Sequence, residues 1–239
     1  MTTGSTPHLE PQDIGPHRFH DTLDALQRGL VEMGSLVTEN VRRAGHAMVE
    51  RRLDLIEVVR NADKEINARY IELEHLIFTT LALQQPVARD LRFLVAATRV
   101  VYELERSGDL AVNLVNVLER EEGFTESPRL IGRLEGIVGA ATRLFARGID
   151  SLAEMPADAG QVLDAADDEV DHAVSEFYTE IGRDADSLGL EMAIALTRVG
   201  RFLERIGDHA VNIGEQVTYI VTGELLQDEA KESWGQDSA

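Results

Sequence analysis

The chain has 239 residues, 44% apolar and 5% aromatic, with 23 Lys plus Arg against 43 Asp plus Glu and a formal net charge of −20. That length can bury a sizeable core and the aliphatic composition fits helical bundles, whereas the negative charge repels phosphate backbones and anionic lipid and argues against nucleic-acid binding. There is no cysteine, no apolar run long enough to span a bilayer and no apolar signal core in the start M-T-T-G-S-T-P-H, which excludes disulfides and thiolate sites and gives the expectation of a cytoplasmic protein without membrane insertion.

Residues 1–16 hold Pro7, Pro11 and Pro16 and read as a flexible N-terminal extension. Leu23, Leu26, Leu30, Met33 and Val37 then recur at three- and four-residue steps, marking the apolar stripe of a first helix over about 17–50. A second helix is expected over about 54–84. A third runs to about Arg120, with Pro86 in its first turn, where a missing N–H does no harm. The stretch E-E-G-F-T-E-S-P (121–128) reads as the domain boundary. A fourth helix follows over about 129–154, closed by Pro156; Asp158 is expected to cap a fifth and Ser187 a sixth, which ends near Gly223. Residues 224–239 carry no stripe and read as a disordered tail. The expected fold is all-α, with a first three-helix bundle over 17–121 and a second over 128–223.

The two bundles are copies of one unit. Thr98–Asn113 (T-R-V-V-Y-E-L-E-R-S-G-D-L-A-V-N) and Thr197–Asn212 (T-R-V-G-R-F-L-E-R-I-G-D-H-A-V-N) share eleven of sixteen residues at an offset of 99. On the preceding helix of each half, N-A-D-K-E-I-N (61–67) matches A-A-D-D-E-V-D (165–171) at an offset of 104, so the second hairpin is five residues shorter.

Packing explains conserved apolar positions within such a repeat, but not repeated acids. Glu105 and Asp109, and Glu204 and Asp208, stand four residues apart and so share a helix face, about 6 Å apart along the axis. Like charges at that spacing repel unless a cation sits between them. Asp63 with Asn67, and Asp167 with Asp171, have the same spacing. Folding each hairpin about its turn, at Pro86 and near Ser187–Leu188, brings these pairs level with the Glu–Asp pairs. Glu105, Asp109, Glu204, Asp208, Asp63, Asp167 and Asp171 are therefore candidate metal ligands, and an all-oxygen set suits divalent or trivalent ions such as Mg, Mn or iron. The competing explanation is a set of exposed salt-bridge faces in a purely structural helical module.

Gly108 and Gly207 beside the acids are either notches for helix packing or room for a hydrated ion. Arg106 and Arg205 point about 100° from the acids and are expected to pair with surface carboxylates. Glu72-x-x-His75 and Glu169-x-x-His172 raise the alternative of a ferritin-like di-iron oxidase, although the two motifs occupy non-equivalent places in the repeat. No phosphate-binding glycine loop or hydrolase signature occurs, so no enzyme is expected.

The doubled L-E-R-S-G-D-L-A-V-N (104–113) and L-E-R-I-G-D-H-A-V-N (203–212), with D-K-E-I-N, D-D-E-V-D and Q-Q-P-V-A-R-D-L-R (84–92), resemble the signature of the PhoU family of phosphate-signalling regulators. The resemblance spans roughly residues 18–223. It implies two three-helix bundles paired as homodimers and metal ions on the acidic faces. It also implies a negative regulator acting as adaptor between the phosphate ABC transporter, through its ATPase subunit, and a sensor histidine kinase. Asn67 departs from the carboxylate of the second copy, so a weaker first site is expected.

Overall fold

A computed structural model describes residues 16–121 and 127–224. Apart from Pro16 and Glu224, the expected extension and tail lie outside these residues, as does most of the linker. Among the described residues the helices are α1 (Pro16–Glu50), α2 (Ile56–Gln84), α3 (Ala88–Arg120), α4 (Pro128–Glu154) and α5 (Ala159–Thr222), with one turn of 3-10 helix at Leu53–Leu55. The expected fifth and sixth helices are the two limbs of α5, divided by Gly189 alone at φ 73 and ψ 163. A residue with a Cβ is strained there, and glycine is not. Ser187 caps nothing; its hydroxyl donates back to the Asp184 carbonyl, and Asp158 makes no side-chain cap either. Pro86 lies ahead of α3, whose cap residue is Val87, whereas Pro128 takes the first helical position of α4.

Each half folds as a hairpin leaning on a long first helix. Gly108 on α3 meets Asp63 and Ile66 of α2, and Gly207 on the second limb of α5 meets Asp167 and Val170 of the first limb. The stripe read on α1 is the buried one: Leu26, Leu30, Met33 and Val37 are at most 2% exposed. At an offset of 104 their counterparts on α4, Leu130, Leu134, Ile137 and Ala141, are also buried.

The halves join through α1 against α4 and α3 against the second limb of α5, both antiparallel. Gly34 faces Ile149 and Gly45 faces Val138, a single contact made twice by the repeat. Ser107 touches His209, and Arg92 donates to the Ile220 carbonyl at 3.3 Å. One continuous apolar core runs through both halves, so the two bundles fold against each other rather than standing apart. That leaves α2 and the first limb of α5 on opposite flanks, each carrying acids toward its own hairpin partner.

A Cβ at Gly34 or Gly45 would overlap the facing Ile149 or Val138. Gly34→Ala gains about 1 kcal/mol of helix propensity but overpacks the seam, at about 1–3 kcal/mol. A net loss of stability in urea titration is expected, relieved when Ile149→Val is added.

Candidate functional site: two acidic faces

On the first face, Asp63 and Asn67 of α2 meet Glu105 and Asp109 of α3. Glu105, Asp109 and Asp63 are all partly buried. Asn67 Nδ2 donates to Asp63 Oδ2 at 3.1 Å, while Asp63 Oδ1 is buried with no hydrogen-bond partner. The Asp63 carboxyl is raised above its ordinary range, first by burial and then by the charge of Asp109; Glu105 is raised by burial, then by Asp109 and Asp63. Asp63 and Glu105 thus lie within electrostatic reach of Asp109.

The second face repeats the plan with more charge. Asp167 Oδ1 is again buried without a partner. Where the first copy has Asn67 as a donor, the second has Asp171, an acceptor only. The Asp167 carboxyl is accordingly pushed up to about 7, chiefly by burial and next by Asp171 and Asp208. Asp171 and Asp208 are raised too, with burial again the first cause. Arg201 Nη1 offsets part of this charge from 2.7 Å on Glu204 Oε1. The residue at the corresponding place in the first half is Tyr102.

The glycines have a definite task. An added Cβ would lie 3.0 Å from Asp63 Oδ1 at Gly108 and 2.6 Å from Asp167 Oδ1 at Gly207. Each glycine is the notch into which the aspartate of the neighbouring helix is pressed. Packing and site are thus one feature, since the side chain filling the notch is the carboxylate with the orphaned oxygen. Tyr70 and Tyr178, which the motif comparison did not single out, border the faces; Tyr70 donates to Glu74 at 2.6 Å and feels the charge of Glu105, and Tyr178 feels that of Glu204.

Other expectations change. Arg106 does not take a surface acid as its partner; its guanidinium lies 5.4 Å from the Tyr102 ring centre, a cation–π contact. Glu72 and His75 are exposed on α2, while Glu169 is held by Arg143 at 2.6 Å and His172 lies 3.9 Å from Glu176. The two E-x-x-H motifs therefore sit on opposite flanks and do not assemble a di-iron centre.

Among the described residues no three His, Asp or Glu side chains close around one point in the manner of a finished metal site. What the acidic faces offer is a row of carboxylates, partly buried except for the exposed Asp171, two of which have a buried oxygen without a protein hydrogen-bond partner. Such oxygens are costly unless protonated or matched by a cation. The donors fit hard oxygen-seeking ions whose remaining ligands are water.

Comparison with known proteins follows the same boundaries. The PhoU domain family matches residues 30–118 and 136–217. A relative from Synechocystis sp., named as a phosphate-specific transport system accessory protein PhoU homolog, is 32% identical over 218 residues, covering 90% of this chain and 97% of its own. A relative of the same name from Deinococcus radiodurans is 33% identical over 209 residues, covering 84% and 95%. The crystal structure of PhoU from Pseudomonas aeruginosa superposes with a TM-score of 0.80 at 29% identity, covering 86% of this chain and all of that one. The phosphate transport system regulatory protein PhoU from Streptococcus pneumoniae, at 22% identity and a TM-score of 0.79, shares the fold.

Asp167 makes stability depend on pH in the metal-free protein. Its folded value of about 7 exceeds the ordinary 3.8, so the folded chain binds this proton more tightly than the unfolded one. Stability from this group is complete below the unfolded value and is lost as pH rises through the folded one. Solvent screening at a half-exposed carboxyl limits the loss to roughly 1–2 kcal/mol. Urea denaturation in chelator across this range is expected to show that loss relative to Asp167→Asn; parallel curves for the two proteins would contradict it.

Proposed function

Because this chain belongs to the PhoU family, we propose that it is a non-enzymatic accessory protein of phosphate uptake. In this reading it is a cytoplasmic negative regulator, working as a homodimer. It acts as adaptor between the ATPase subunit of the phosphate transporter and a sensor histidine kinase. The observation that carries the reading is the twice-built acidic face, embedded in a family match that spans both halves.

The proposed mechanism runs through Asp63, Glu105 and Asp109 in the first half and Asp167, Asp171, Glu204 and Asp208 in the second. A bound ion such as iron, Mg2+ or Mn2+ supplies the positive charge these carboxylates lack. Asp63 and Asp167 in the glycine notches, with Glu105 and Glu204 on the facing helices, would be among the residues that hold such an ion. Each face joins two helices of one hairpin, so neutralising it holds that hairpin in a single arrangement. Transporter and kinase then meet a fixed surface elsewhere on the molecule. Asn67 withdraws one carboxylate and donates to another, so the first face is expected to hold its ion less tightly.

The relatives' names, accessory protein of a transport system, support transport regulation over catalysis. The experiment is a pull-down of the full chain from phosphate-replete cells without chelator, with metal analysis of the same eluate. Wild type is expected to bring down the transporter ATPase subunit and the kinase, and to carry about one or more ions per half. Glu105→Ala/Asp109→Ala and Glu204→Ala/Asp208→Ala should each lose the ions of their own half. Metal-free wild type with both partners present would defeat the metal reading alone. Metal-loaded protein with neither partner would defeat the adaptor reading.

A further inference from the structure

The outer side of the seam between α3 and the second limb of α5 carries arginines that the repeat sets down twice. Arg99 and Arg106 on α3 correspond to Arg198 and Arg205 on α5. Arg99, Arg106 and Arg198 are exposed and Arg205 is partly buried. Arg99 Nη1 donates across the seam to Gln216 Oε1 at 3.5 Å, beside a cavity of about 350 Å³. The Glu103 carboxyl is raised by burial and lowered by Asn212, Arg106 and Arg205, so arginines of both helices converge on it. Glu103 belongs to one side of the seam only. Phe202 and Leu110 stand where the repeat would place a second Glu103 and a second His209.

These arginines lack counter-charge. On other surfaces arginines take carboxylates: Arg42 and Arg43 hold Glu39, Arg60 holds Glu119 and Arg143 holds Glu169. Among the described residues, none of the four in the row has a carboxylate within ion-pair distance. Arg106 and Arg198 lie over the rings of Tyr102 and Phe202 instead. A chain of net charge −20 thus leaves four positive charges unmatched along one seam.

Acids able to match them follow in the same chain. A Cβ at Gly223 would lie 3.5 Å from the Arg92 guanidinium carbon, so the chain leaves α5 beside the start of α3. From there the row lies back along α5. Gln216, level with Arg99, is about 10 Å before Gly223, and Arg198 is about 38 Å before it, at 1.5 Å per residue. Residues 225–239 carry Asp228, Glu229, Glu232 and Asp237 against the single Lys231. An extended chain advances about 3.3 Å per residue. Asp228 and Glu229 therefore come within reach of Arg99, Glu232 of Arg106 and Arg205, and Asp237 of Arg198. The acidic flanks of the molecule repel such a segment; the row attracts it.

We propose that the arginine row on the seam is the docking surface of the chain's own acidic segment 225–239, which lies back along α5 and across both halves. Exposed ion pairs are weak singly, but the segment is tethered beside the row, and the tether raises its effective concentration there. The docking is therefore reversible and screened by salt. While docked, the segment closes the row to other anions.

Trp234 is the sole tryptophan and lies within the segment, so acrylamide quenching of its fluorescence reads the docking in the full chain. Wild type is expected to be quenched about twofold less at about 10 mM salt than at about 1 M, as the Debye length falls from about 30 Å to about 3 Å. Arg99→Glu/Arg106→Glu/Arg198→Glu should abolish that protection. So should Asp228→Asn/Glu229→Gln/Glu232→Gln, which leaves every helix untouched. Arg42→Glu/Arg52→Glu, on α1 and the turn that follows it, should keep it. Equal quenching at both salts in wild type, protection that survives reversal of the row, or its loss in Arg42→Glu/Arg52→Glu would overturn the proposal. Protection that grows with protein concentration, as docking from a second copy would give, would overturn it as well.

Discussion

A carboxylate oxygen pressed against a neighbouring helix, out of reach of water and of any donor, is an unfavourable arrangement that this protein builds twice. Asp63 and Asp167 each fill a notch left by a glycine, and each keeps one oxygen unpaired. Further carboxylates surround both, so burial and repulsion act in the same direction. Such a group keeps its charge only when a cation matches it, and otherwise takes up a proton. The hairpins, the close approach of their helices and the sensitivity to pH all follow from how that demand is met.

Duplication explains why the demand occurs twice and why it can be met differently in each half. The repeat preserves the notch and the Glu–Asp pair while altering their neighbours. Asn67 relieves its aspartate with a hydrogen bond, and Asp171 aggravates its own with a charge. Arg201 tempers the second face where the first has Tyr102. The apolar side of the repeat is held more strictly, with α1 and α4 meeting through the same glycine-on-aliphatic contact at both ends. A common core thus carries two faces of different strength, together with a seam polar on one side only.

Much of this was legible in the sequence because helical periodicity and repeat offsets are local quantities. The stripe on α1, the turns of both hairpins and the level of Asp63 with Glu105 and Asp109 all follow from counting. What counting does not supply is the azimuth of one helix against another. The glycine contacts between α1 and α4 belong to that class, as does the meeting of Ser107, His209 and Glu103 across halves whose residues lie about a hundred positions apart. The role of Gly207 was open for the same reason, since a notch and an ion cavity look alike until the filling side chain is known. The reversal at Gly189 needed no loop, and the sequence-based cap at Ser187 presumed one. Arg106 found an aromatic ring within its own helix at Tyr102, a partner that a search for opposite charges passes over.

The central claim is that cations displace protons from the acidic faces. Titrating Mn2+ into chelator-stripped protein just below neutral pH, in two buffers of different ionisation enthalpy, measures the protons released per ion bound. Wild type is expected to release protons, drawn mainly from Asp167, and Asp167→Asn to release fewer. Binding with no proton release, or no binding at all, would contradict the account.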